Sequence, residues 1–135
     1  MEPRSRAHAV LTIRGVDLDP ASIAERLGVG PTSAGRKGDI RRPGAAPARI
    51  GWYSIDVRVD NLDEVDQAVR SAVEKVTQSD EWDAVRASFE MELTLVFYLY
   101  ETNVGAGLGS STLQMLAANG IGLDFDLYAL AGTGS

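Results

Sequence analysis

Leu18-Asp19-Pro20-Ala21-Ser22-Ile23 and Leu108-Gly109-Ser110-Ser111-Thr112-Leu113 are two versions of one phrase. In each, a polar turn enters a helix between two apolar residues five positions apart, the spacing of a hydrophobic staple. In the first version Asp19 is a good N-cap, Pro20 suits the first helical position, and Gly28 after Leu27 is a natural terminator. The second version predicts a helix capped by Ser110 or Ser111, running through Leu113, Leu116 and Ala117 and ending at Asn119-Gly120.

Strands flank both phrases. Ala9, Leu11 and Ile13 alternate with His8, Val10, Thr12 and Arg14, the period of a half-buried strand. Tyr53, Ile55, Val57 and Val59 alternate with Ser54, Asp56 and Arg58, and Leu123, Phe125 and Leu127 with Asp124, Asp126 and Tyr128. Met91, Leu93, Leu95, Phe97 and Leu99 alternate opposite Glu90, Glu92, Thr94, Val96, Tyr98 and Tyr100. The second face of that strand also turns apolar, which points to a central position in the sheet. Between these strands, Leu62, Val65, Val69, Ala72, Val73 and Val76 recur at helical spacing behind an Asn61/Glu64 capping box. Trp82, Val85 and Phe89 predict a short further turn that closes one end of the core.

Residues 28–51 show no such period. They are rich in glycine, hold three prolines and five Arg/Lys, and read as a long loop with a short strand near Ala48 to Trp52. Loops of that length in a compact domain usually carry function or are partly disordered. The expected organisation is one domain spanning 1–135, with a core over about 8–128, the long loop at 28–51, and a mobile tail at 129–135.

Composition narrows the function. With no cysteine, disulfide frameworks, thiolate metal sites and cysteine nucleophiles drop out. The Met1-Glu2-Pro3-Arg4-Ser5-Arg6 start leads into no apolar signal core, and no stretch is apolar for long enough to span a bilayer, so a soluble cytoplasmic protein is expected, with no membrane partner. The net charge of −6 is uneven: residues 1–59 hold 10 Lys/Arg against 6 Asp/Glu, and residues 60–135 hold 3 against 13. An acidic total with two lysines disfavours nucleic acid as a partner, because phosphate tracking needs many cations. An acidic face suits a basic protein.

Strand parity then defines a fold class. One face of every strand is apolar, and the opposite faces carry His8, Thr12, Arg14, Trp52, Ser54, Asp56, Arg58, Glu90, Glu92, Thr94, Tyr98, Tyr100, Asp124, Asp126 and Tyr128. The expectation is an α+β, two-layer, ferredoxin-like sandwich: a mainly antiparallel sheet with helices on one face, built from two pseudo-repeated β-α-β halves. The open face is where a ligand, a partner or a second copy would sit.

The residues also carry a family resemblance. Gly15, Leu18-Asp19-Pro20, Ile23, Leu27-Gly28-Val29, Pro31-Thr32, Lys37-Gly38-Asp39, Trp52, and Leu123-Asp124-x-Asp126-x-Tyr128 together resemble the bacterial domain of unknown function 4279 family, from about His8 to Tyr128. The resemblance implies a small bacterial cytoplasmic α/β domain. It brings no catalytic residues with it.

Candidate binding residues come from the loop and the open face. Arg36, Lys37, Asp39, Arg41 and Arg42 form a glycine-containing cationic stretch able to meet an anion, without the spacing of a phosphate loop. Trp52, Tyr98 and Tyr128 supply aromatic surface for a partner. Glu90, Glu92, Asp124 and Asp126 are the candidate ligands for magnesium or calcium if their strands are neighbours; otherwise Asp124 and Asp126 can bond Arg41 or Arg42. His8, the single histidine, is expected on an edge-like strand, and no nucleophile-elbow sequence accompanies it. The reading is a small binding or protein-interaction domain with no cofactor and no catalytic residue, a neutralising partner of a basic protein in one form, with homodimerisation as a second use of the face. The alternative is a small-molecule or metal-dependent enzyme built on the four carboxylates.

Overall fold

The computed structural model describes residues 4–101 and 104–130. Its elements run β1 (Arg6–Gly15), α1 (Pro20–Leu27), β2 (Ser33–Gly35), β3 (Gly51–Val59), a 3-10 turn (Leu62–Glu64), α2 (Val65–Thr77), α3 (Trp82–Ser88), β4 (Glu90–Leu99), α4 (Ser110–Ala118) and β5 (Gly122–Ala129). One five-stranded sheet has the order β2-β3-β1-β4-β5. All neighbours are antiparallel except β4 and β5, which are parallel. The chain is α+β, with its helices packed on one side of a mostly antiparallel open sheet.

β1 occupies the middle, where the pattern placed β4. Ala7, Ala9, Leu11 and Ile13 face the helices and lie opposite Val59, Val57, Ile55 and Tyr53 on one side and Phe97, Leu95, Leu93 and Met91 on the other. α2 lies over β1 and β3. Its buried face is Val65, Ala68, Val69, Ala72, Val73 and Val76, and the small residues Ala7, Ala9, Ala68 and Ala72 let the two layers approach closely. Each fully buried valine there contributes about 1.5–3 kcal/mol relative to exposure.

The two stapled phrases differ in their anchoring. Leu18 and Ile23 are both buried, Asp19 Oδ1 accepts the Ala21 N–H at 3.1 Å, and Gly28 closes α1 at φ 73°. In the second phrase Leu113 is exposed and the N-cap is Gly109, not Ser110 or Ser111. The capping carboxylate comes from α2: Asp66 Oδ1 accepts the Gly109 N–H at 2.7 Å. That bond holds the Asp66 carboxyl below its usual pKa. The strands around the phrases differ too. β4-α4-β5 joins parallel neighbours, whereas α1 leads from β1 to β2, which run parallel with β3 between them. The two stapled helices therefore stand in different crossovers, one spanning an intervening strand and one joining adjacent strands.

The long loop is folded on itself. An extra strand forms at Ser33–Gly35, and β3 begins at Gly51, so no separate strand starts near Ala48. Gly38 N–H donates to Ala48 O at 2.8 Å and Ala48 N–H to Asp39 O at 2.8 Å, which closes the loop into a hairpin-like turn. At the other end of the chain β5 reaches Ala129, and Leu130 N–H donates to Leu99 O at 2.7 Å. Of the expected mobile tail, residues 131–135 lie outside the described residues.

Tyr53 ties the loop to the core. Its ring is fully buried under α1, its hydroxyl donates to Val29 O, and burial pushes the phenol up to about 12. A folded-state pKa above the unfolded value of about 10 means that this contribution is complete below pH 10 and fades as pH rises towards 12. Tyrosinate absorbance should show one of the four tyrosines ionising last, together with alkaline unfolding, and Tyr53→Phe should remove that step.

Candidate functional site

The open sheet face holds two clusters and a set of ion pairs between them. At the β2 side lies a groove of about 670 Å³ walled by Thr12, Arg14, Ser33, Arg41, Trp52 and Asp56 among others. Trp52 sits on β3 opposite Gly35 of β2, and a Cβ at position 35 would run into the indole ring. Glycine there lets the ring lie flat across the edge strand. The indole N–H donates to Ser33 Oγ at 3.1 Å, and the Arg41 guanidinium lies over the ring, 3.8 Å from its centroid. Trp52 is thus 9% exposed yet belongs to the open face, beneath the long loop and outside the core. Such a cation–π stack is worth about 0.5–2 kcal/mol.

Asp56 is the unusual group in the groove. Its Oδ2 meets His8 Nδ1 at 3.1 Å and Arg58 Nε at 3.7 Å, and its own N–H donates to Thr32 Oγ1 at 3.0 Å. Its Oδ1 is buried and has no hydrogen-bond partner. A buried carboxylate oxygen left unpaired costs of the order of 1–3 kcal/mol or more, so it is a ready acceptor for an incoming N–H or O–H. Beside it, Thr12 and Ser54 hydroxyls bond each other at 3.0 Å.

Farther across the face, Tyr98 and Tyr128 stack with ring centroids 5.2 Å apart, His8 tilts against Tyr98, and Arg6 lies over Tyr98 at 4.5 Å. His8 is accordingly on the central strand and engaged on both sides, not on an edge. The expected binding residues therefore fall into separate groups. Trp52 and Arg41 meet; Tyr98 and Tyr128 meet on the β4–β5 side; Arg36 turns to α1 and pairs with Asp19 at 2.7 Å; Lys37 and Arg42 are exposed. Asp39 Oδ2 accepts the Arg36 N–H at 2.8 Å, a turn-forming role.

The four carboxylates do not gather. Arg14 pairs with Glu92 at 3.1 Å and Glu90 at 3.7 Å, while Asp124 and Asp126 lie opposite Thr94 and Val96 on β5. Among the described residues no group of three or more metal-ligating side chains converges. Asp124 and Asp126 do not reach Arg41 or Arg42 either, because β5 and β2 are opposite edges of the sheet. A cavity of about 580 Å³ beyond Arg14 is lined by groups already paired, including Arg86 with Asp83 at 3.0 Å.

Asp56, Thr12, Ser33, Ser54 and Gly35 were not singled out by their residue types as members of a site. Parity placed Asp56, Thr12 and Ser54 on the open face, but only the strand register brings His8 and Ser33 to them.

A two-layer α+β domain with one open sheet face and a polar, aromatic groove beneath a folded loop is the class of protein these features define. Residues 5–130 match the family described as Domain of unknown function (DUF4279), and the chain belongs to that family. No match emerged among curated proteins or solved structures. Among the described residues no helix is long and apolar enough to cross a membrane.

Gly35→Ala should evict the Trp52 ring. The expected result is altered near-ultraviolet circular dichroism and a stability loss of about 1–3 kcal/mol by chemical denaturation, with the core spectrum otherwise retained.

Proposed function

We propose that this chain is a cytoplasmic protein-interaction domain that binds a basic partner through its open sheet face, with the Trp52–Arg41 groove as the anchor. The observation that carries the reading is the unpaired, buried Asp56 Oδ1 at a groove wall only 16% exposed at that side chain. A donor-bearing side chain from a partner satisfies that oxygen, and the Trp52 face offers a cation a second contact where Arg41 now lies. Net charge supports the partner's sign: the −6 of the whole chain attracts a basic surface over distance and speeds encounter. Neutralising a basic protein is the role such a module suits. Binding is favoured over carboxylate catalysis because Glu90 and Glu92 are engaged by Arg14.

The test is affinity capture from source-cell lysate with wild type, Asp56→Asn and Arg41→Glu, each first shown to be folded by circular dichroism. A basic protein should bind wild type and fall by at least about tenfold in both variants, the scale of a lost anchor contact. Equal capture by all three would contradict the groove assignment. Self-association in place of a partner would move the reading to a homodimer, and a melting temperature raised by magnesium or calcium would favour the metal-dependent alternative.

A further inference from the structure

The two edges of the sheet are guarded very differently. β2 is three residues long and leads into the folded 36–50 loop, whereas β5 is an eight-residue edge with no proline and no lysine. Exposed edges of that length are templates for another strand unless something blocks them.

The direction of β5's free backbone groups follows from its bonds. Leu130 N–H points inward to Leu99 O, so by strand alternation the even-numbered residues turn their N–H groups to β4 and Leu123, Phe125 and Leu127 turn theirs outward. In agreement, the Phe125 N–H finds only the neighbouring Asp124 Oδ1, at 3.0 Å. The side chains of this outward set lie on the helix side and are unusually bare for their size: Phe125 is 55% and Leu127 65% exposed. Phe125 borders an apolar cavity of about 260 Å³ that includes Leu95, Leu108 and Leu113. On the open side of the same strand stand Asp124 and Asp126, with no cation within ion-pair distance among the described residues.

We infer that β5 is an acceptor edge for an extended segment of a second protein in which Lys or Arg alternates with large aliphatic residues. Such a segment adds as a sixth strand, giving backbone hydrogen bonds to Phe125 and its outward neighbours, aliphatic contacts to Phe125 and Leu127, and cations to Asp124 and Asp126. Charge selects this occupant over a second copy of the chain. In an antiparallel pairing of two β5 strands about Phe125, Asp124 of each faces Asp126 of the other, and directly opposed like charges destabilise. The aspartates thus repel self-pairing and admit a basic strand. This edge is separate from the Trp52 groove and does not depend on it.

The probe is a synthetic eight-residue peptide alternating lysine and valine, matched in length to β5, titrated into the full chain by calorimetry and by amide chemical shifts. Binding with shifts confined to β5 and the 104–113 segment is expected. N-methylation of alternate peptide nitrogens should weaken it by about tenfold or more, and so should Asp124→Asn with Asp126→Asn, which leaves every core residue in place. A glutamate-valine peptide should not bind. No binding, equal affinity after N-methylation, indifference to the aspartate substitutions, or shifts centred on Trp52 would each overturn the proposal; so would dimerisation of the chain through β5 in the absence of peptide. None of these outcomes touches the Asp56 and Arg41 variants that test the groove.

Discussion

β1 hydrogen-bonds along its full length to β3 on one side and β4 on the other, and this double pairing positions everything else. Because side chains alternate strictly along a strand, fixing the register of β1 with both neighbours sends Ala7, Ala9, Leu11 and Ile13 to the helices and His8, Thr12 and Arg14 to the open face. A one-residue slip would exchange the two sets and bury a histidine and an arginine. The apolar contact of α2 with the inner face resists that slip, so packing in the helical layer is what holds the polar surface in order on the other side.

The open face is then sorted by its neighbours across the strands. Arg14, in the middle, is satisfied by Glu90 and Glu92 and separates the Trp52 groove from the β5 side. On one flank a cation covers an indole in a groove that also holds a carboxylate with an unused oxygen. On the other, two aspartates stand on an edge strand beside exposed apolar side chains. Both flanks offer hydrogen-bond acceptors beside apolar surface.

Much of this was legible in the residues, and the parts that were not share a cause. Alternation revealed every long strand and which side of each was polar, and Asp19-Pro20 with Gly28 marked α1. Strand order was hidden because pairing is a relation between distant segments: a double-sided apolar pattern fitted β4 as centre as well as an interior position beside β1. β2 has three residues, too few to show a period. The cap of α4 is Asp66, 43 residues upstream, where no local rule looks for it. Within the site, Trp52 and Arg41 were recognisable by type, but Gly35 became meaningful only when the register laid it under the indole, and Asp56 only when His8 and Thr32 closed around it. The four carboxylates shared a spacing without sharing a place, since ordinary alternation produces that spacing on any polar strand face.

Under the proposed function, a partner meets the open sheet face and leaves the helical layer free. Hydroxyl-radical footprinting of the purified chain beside the same chain in source-cell lysate tests it most directly. Oxidation of Tyr98 and Tyr128 should fall in lysate while Met115 on the helical layer is unchanged. Equal labelling in both settings, or protection confined to the helices, would contradict it.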